Sequence, residues 1–192
     1  MKKIILASSS PQRKKLLKHL GIKFSICPSR VKEIQKIQTT CADLVMKNAF
    51  LKARDVASRK KEGIVIGADS LVYLEGKKVI GKPRDLKEAK KNLKMLFHRP
   101  SWVYTGVALI DARTQKKMIA YEKTKIYMSP LTDGEIDRYH SHVSPLDKAG
   151  GFDIEGKGSM FIRRIEGCYF NVIGLPLSKL CSMLKEFGVS VL

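Results

Sequence analysis

Asp69 and Lys82 are an acid and a base that end up close together if the chain folds as its apolar pattern suggests. They lie within IVIGADSLVYLEGKKVIGK, running from Ile64 to Lys82, where the uncharged run Ile64-Val65-Ile66 reads as a buried strand leading to Gly67-Ala68-Asp69-Ser70. Asp69 is thus predicted just past a strand's C-terminal end, where α/β sheets bind ligands, with space beside it left by Gly67 and Ala68. A turn through Glu75-Gly76-Lys77 then brings Gly81-Lys82-Pro83 back to the same end of the sheet. The same residues also permit a plainer reading, in which Asp69 caps the next turn and Lys82 is solvated.

Further candidates are spread along the chain. Lys3 to Ser8 reads as a first strand, and Ser8-Ser9-Ser10-Pro11 turns it into a helix with Ser10 as N-cap and Pro11 at the first helical position. Serines between a strand end and a helix N-terminus form an anion site, because unpaired N–H groups and the helix dipole point at one spot. Arg13 stands in the first turn, where a cation opposes the dipole; a phosphate partner would account for it. Glu33 lies in an irregular polar segment and Lys52 on a helix, and neither stands out alone. Pro145 to Gly158, PLDKAGGFDIEGKG, packs four glycines, two aspartates, a glutamate and two lysines into fourteen residues, a loop whose backbone can approach a ligand closely. It matches neither a Walker A nor a dinucleotide fingerprint. His140 and His142 are two apart on a predicted helix and share no face, which argues against a metal pair. Together, acids at Glu33 and Asp69, bases at Arg13, Lys52 and Lys82 and the glycine loop are the parts needed to hold a metal-bound polyphosphate and orient a water against it.

These residues need an α/β scaffold, and the pattern supplies one. A second strand is predicted at Ile22 to Cys27, and a helix at Ala42 to Arg59 capped by Thr39 or Thr40. An amphipathic helix follows at Leu86 to Phe97, then strands at Ser101 to Asp111 and Lys117 to Met128 joined by a polar turn. A helix at Leu131 to His142 has Thr132 as N-cap, Met160 to Ile165 is strand-like, Gly167 to Gly174 reads as turn and strand, and the last helix carries Leu177, Leu180, Met183, Leu184 and Phe187.

With 192 residues and 44% hydrophobic content the chain reads as one globular unit over 1–192, its core either whole or split into two lobes. No long apolar run suits a membrane span, and the apolar part of MKKIILASSS is too short for an export signal. Cys27, Cys41, Cys168 and Cys181 form no C-x-x-C pair, which fits reduced thiols in a cytoplasmic protein. A formal charge of +19 favours polyanions, yet the lysines fall in small clusters along the whole length. Solvated faces plus one phosphate site are therefore expected, and nucleic acid is an unlikely partner.

LASSSPQRKKLL, GADS followed by GKP, DKAGGFDIEGKG and NVIGLPL together resemble, in order and over nearly the whole chain, the Maf family of nucleoside triphosphate pyrophosphatases, the septum formation inhibitor Maf proteins. The resemblance implies an α/β fold, a mixed twisted sheet flanked by helices in two lobes with a cleft, related to inosine triphosphate pyrophosphatases and often a homodimer. It implies hydrolysis of a nucleoside triphosphate to a monophosphate and pyrophosphate with a divalent metal, Mg2+ or Mn2+, a reaction that would limit misincorporation and be linked to cell division. Asp69 would accept the proton of the attacking water or ligate the metal, Glu33 would be a second metal-site acid, and Ser8, Arg13, Lys52 and Lys82 would bind the phosphates.

The base-specificity positions depart from the relatives' patterns. Members similar to dTTP and UTP pyrophosphatases carry S-P-R-R, GADT and I-Q-G, where this chain has Gln12, Ser70 and Glu155; members similar to 7-methyl-GTP pyrophosphatases carry S-P-W-R, a glutamine after the aspartate and S-E-G. A carboxylate at Glu155 would accept from the donor-rich edge of a guanine and repel a pyrimidine carbonyl, which leans towards a purine. The competing expectation is a non-catalytic basic regulator that binds nucleotides or nucleic acid.

Overall fold

The computed structural model describes residues 2–35, 39–74, 76, 78–146 and 148–191. Glu75 and Lys77 of the expected hairpin turn, and Asp147 of the glycine loop, lie outside them. Strand β1 (Ile4–Leu6) leads into helix α1 (Pro11–His19), whose cap is as expected: the Ser10 hydroxyl accepts from the Arg13 amide and Pro11 opens the helix. Strand β2 (Phe24–Ile26) and helix α2 (Cys41–Ala57, capped by Thr40) follow. Next come strand β3 (Ile64–Leu74), strand β4 (Lys78–Ile80), helix α3 (Leu86–His98), strands β5 (Ser101–Asp111) and β6 (Lys117–Met128), and helix α4 (Asp133–His142). Strand β7 (Ile162–Glu166) and helices α5 (Tyr169–Ile173) and α6 (Leu177–Glu186) complete the chain. Among the described residues no helix is long and apolar enough to cross a membrane.

The seven strands make one mixed sheet in the order β2-β1-β3-β5-β6-β7, with β4 paired to β3. The chain divides into two compact units: Met1–Ser70, Thr105–Glu122 and Gly174–Leu192 form one, and Leu71–Tyr104 with Lys123–Ile173 the other. The first has a core cluster of Ile5, Ala7, Ala49, Ala53, Val56, Val65, Ala108 and Ile110. The second packs Val72, Leu93, Leu96, Val103, Ile126, Ile136, Tyr139 and Phe161, with Tyr139 and Phe161 meeting edge to face at 5.1 Å.

Three expectations are corrected. Asp69 does not follow a strand's end but lies inside β3, which changes partners along its length. Its first residues pair in parallel with β1 as far as Leu6↔Ile66, and Val72–Leu74 pair antiparallel with β4. Asp69 is thus past the end of the neighbouring parallel strand while its own strand continues, and the space predicted for it comes from β1 stopping. Gly167 to Gly174 is not turn and strand but contains α5, where buried Asn171 donates to the Val103 carbonyl and Thr124 Oγ1 and fixes a helical turn that propensity does not favour. Met160 belongs to a 3-10 turn, Lys157–Phe161, and β7 begins only at Ile162.

The glycine loop is folded on its own aspartate. Asp153 Oδ1 accepts from Tyr139 OH at 3.0 Å and from the Gly158 amide at 2.8 Å, and a Cβ at Gly158 would come within 1.9 Å of the Asp153 carbonyl oxygen. Gly151, at φ +75°, lies against Ala89 of α3. These glycines are required by packing within their own unit.

Helix α2 lies so close to the sheet that a Cβ at Gly67 would be 2.2 Å from the Ala49 carbonyl oxygen, and one at Gly106 2.3 Å from that of Val45. Backbone cannot yield as a side-chain end does, so Gly106→Ala is expected to cost about 3 kcal/mol of stability in urea unfolding. Gly134→Ala, with nothing within 4 Å of its Cβ, should instead be neutral or stabilising.

His140 supplies a pH signature. Burial lowers its pKa, and its buried Nε2 has no hydrogen-bond partner among the described residues. The folded state therefore keeps the neutral imidazole, so its contribution to stability is full above the unfolded-state value near 6.5 and is lost as pH falls through the depressed folded value. Replacement by leucine should flatten the decline in urea midpoint between about pH 7 and pH 5.

Candidate active site

All the chemistry described next lies in the first unit. Helix α2 carries an apolar face of Leu44, Val45, Ala49, Ala53 and Val56, into which Asn48 and Lys52 are set four residues apart. Both side chains reach Asp69 of β3. Lys52 Nζ lies 2.7 Å from Asp69 Oδ1 and donates to the Ala68 carbonyl at 3.3 Å, and Asn48 Nδ2 donates to Asp69 Oδ2 at 2.9 Å. Asp69 and Lys52 are each 8% exposed, so their charges compensate each other in a desolvated setting.

Glu33 joins them from the segment before α2, with Oε1 2.6 Å from Lys52 Nζ and its side chain 54% exposed. That segment is pinned by Asn48, which donates to the Ile34 carbonyl and accepts from the Ile34 amide, both at 2.9 Å. One side-chain amide thus fixes the catalytic-candidate aspartate and the backbone beside the second acid. Lys52 spends its three N–H donors on Glu33, Asp69 and Ala68.

Arg13 is held separately. Its Nε donates to the Gly174 carbonyl at 2.9 Å, Nη1 to Ser8 Oγ at 3.3 Å and Nη2 to Ser70 Oγ at 3.1 Å. Ser70 Oγ in turn lies 2.9 Å from Thr105 Oγ1. Among the described residues every hydrogen-bond partner of this guanidinium is a neutral oxygen, so its orientation is set without a bonded counterion. Desolvation lowers its pKa, and the fields of Asp69 and Glu33 oppose that, so the arginine and the two acids sense one another. Buried Ser8 accepts from the Ser10 amide as well as from Arg13, which uses both its lone pairs and leaves its O–H to donate.

The structure thus gathers Ser8, Arg13, Glu33, Lys52, Asp69 and Ser70 of the expected residues. Half-buried Gln12 accepts from the Ser10 hydroxyl at 3.1 Å. Lys82 and Glu155 belong to the second unit, Lys82 exposed after β4 and Glu155 exposed in the bend between Asp153 and Gly158. Sequence reasoning missed Asn48, Thr105 and the Gly174 carbonyl. Asn48 had a signal, a polar residue on the apolar face of α2 one turn before Lys52; the other two had none.

A family model described as Maf-like protein matches residues 3–187. The chain belongs to the Maf family. This Maf-like chain is 45% identical over 192 residues to a dTTP/UTP pyrophosphatase of Pelotomaculum thermopropionicum, covering 100% of each. It is 46% identical over 186 residues to a dTTP/UTP pyrophosphatase of Carboxydothermus hydrogenoformans, covering 97% of this chain and 99% of that one. Among solved structures, the Ham1 protein of Staphylococcus aureus shares the fold at a TM-score of 0.54 and 17% identity, covering 97% of this Maf-like chain and 100% of that one.

Among the described residues no group of three or more His, Cys, Asp or Glu is gathered to hold a metal. The two carboxylates drawn to Lys52 are nevertheless a hard oxygen donor set of the kind that holds Mg2+ or Mn2+ when phosphate oxygens and water complete the shell.

Asn48→Ala would leave Asp69 Oδ2 and both Ile34 backbone groups without this partner. It should destabilise the protein by about 2–3 kcal/mol in urea unfolding and speed hydrogen exchange at the Ile34 amide, while distant α6 amides keep their relative order.

Proposed function

We propose that this protein hydrolyses a pyrimidine nucleoside triphosphate, dTTP or UTP, to the monophosphate and pyrophosphate. The observation that carries this reading is Arg13: a half-buried cation oriented by three neutral oxygens, next to a buried ammonium and two carboxylates. Such a guanidinium has its charge available for a phosphate oxygen, to which it binds with directional hydrogen bonds. The relatives' names support the pyrimidine over the purine that Glu155 suggested, and supply the reaction.

In this reading water adds across the anhydride between the α and β phosphates. Asp69, held by Lys52 and Asn48 so that its carboxylate cannot rotate, positions the water and takes its proton. Arg13 and the Ser8 hydroxyl bind phosphate oxygens, and Lys52 balances the charge of Asp69 and Glu33. Glu33 and Asp69 would hold the divalent ion, which when bound neutralises polyphosphate charge. Gln12, at the start of α1 in the same unit, contributes to base choice. Ser70, expected at a base-specificity position, acts on phosphate binding by holding Arg13.

Pyrophosphate release from a panel of nucleoside triphosphates with Mg2+ tests this. Release is expected from dTTP and UTP and to stop on chelation of the metal. Asp69→Asn should lower kcat by about 100-fold or more, Arg13→Ala should mainly raise KM, and Glu155→Gln should keep pyrimidines ahead of purines. Undiminished turnover by Asp69→Asn would overturn the assignment.

A further inference from the structure

Burial alternates along the second unit's part of β6: Thr124, Ile126 and Met128 are buried, while Lys123 is exposed and Lys125 and Tyr127 are half-buried. The opposite face of that sheet therefore carries the odd-numbered residues. Strand β5 adds half-buried Trp102 to this face, its neighbours Ser101 and Val103 being buried. Strand β7 adds exposed Arg164, opposite Tyr127, and Glu166, opposite Lys125. The result is a ladder of cations over rings. Lys123 Nζ lies 5.2 Å and Lys125 Nζ 5.1 Å from the Trp102 ring centroid, Lys125 Nζ is also 5.4 Å from that of Tyr127, and Arg164 Cζ stands 4.4 Å over Tyr127. Glu166 is paired with Arg164 at 2.5 Å and accepts from Tyr127 OH.

We propose that this face, Trp102 and Tyr127 with Lys123, Lys125 and Arg164, binds single-stranded nucleic acid through base stacking and phosphate contacts. Every nucleobase has a π face that stacks on an aromatic side chain, and the accompanying phosphates need cations within side-chain reach. Both components are interleaved here within one sheet face. The ammonium groups already lie over the rings, so a base must displace them. Each ring carries two such cation contacts, and a base that stacks in their place frees those cations to pair with its phosphates. The exchange therefore favours the bound state. A second copy of this chain is a poorer occupant, because it would bring the same cations against this face. The expectation of nucleic acid as an unlikely partner followed from lysines spread along the chain; the sheet brings residues 102, 123, 125, 127 and 164 together.

Trp102 is the chain's single tryptophan, so its fluorescence reports on this face alone. A fluorescein-labelled single-stranded oligodeoxyadenylate titrated into the full chain should raise anisotropy and quench Trp102. With about three phosphate contacts, affinity should fall about twentyfold between about 50 and 200 mM salt. Trp102→Ala should weaken binding about tenfold or more and Trp102→Phe much less, and Lys123→Glu with Lys125→Glu should abolish it while the chain still unfolds cooperatively in urea. Lys87→Glu with Lys91→Glu, the same charge change on exposed residues of α3, should weaken binding far less. The proposal is overturned by absence of binding at about 50 mM salt, by equal loss in the α3 pair, by equal affinity for a duplex of the same length, or by Trp102→Ala binding as tightly as the parent. It is likewise overturned if Lys123→Glu with Lys125→Glu changes sedimentation while no oligonucleotide binds, which would make the face a contact between copies.

Discussion

The contact between helix α2 and the sheet at Gly67 and Gly106 is the constraint on which the candidate site depends. With any side chain at either position the Ala49 and Val45 carbonyls could not approach as they do. The short distance is what lets Asn48 and Lys52 meet Asp69 in the middle of β3. Because the helix rests on backbone, small shifts of α2 are resisted by repulsion that rises steeply, and the positions of the amide and ammonium are correspondingly well defined. Ala49 and Ala53, the small residues beside them on α2, belong to the same arrangement, since larger side chains would lift the helix away.

From this contact follows an electrostatic division of labour. Lys52 is saturated by two carboxylates and a carbonyl, so it stabilises the acids, whereas among the described residues Arg13 is hydrogen-bonded by neutral oxygens alone. Two cations of one protein thus serve different ends because of what surrounds them. The hydroxyls of Ser8, Ser70 and Thr105 set the arginine's direction without cancelling its charge. A serine at position 70 has room for this bond to Arg13 and to Thr105 together, which links strand β5 to the arginine.

The second unit uses its glycines differently. Asp153 binds Tyr139 OH and the Gly158 amide, and the glycines around it allow the loop to close on itself. A glycine-rich stretch read as open to a ligand is here largely committed to internal packing. On the sheet of the same unit, Trp102 and Tyr127 carry Lys123, Lys125 and Arg164 over their rings.

Much was determined by sequence alone. Ser10-Pro11 set the start of α1, the polar turn between Asp111 and Lys117 set β5 and β6, and Thr132 with Glu135 set the start of α4, because caps and turns are local chemistry. The motifs carried the family and contain Arg13 and Asp69, whereas Glu33 and Lys52 stood out only through the resemblance. Tertiary structure decided what depends on partners distant in the chain. Asp69 lies within a strand because β3 exchanges β1 for β4, α5 exists because Asn171 finds Val103 and Thr124, and Asn48 matters because α2 lies on Gly67 and Gly106. The ring-and-cation face assembles from three strands whose register only the folded sheet sets. A side chain's type is fixed by its codon, but its neighbours are chosen by packing.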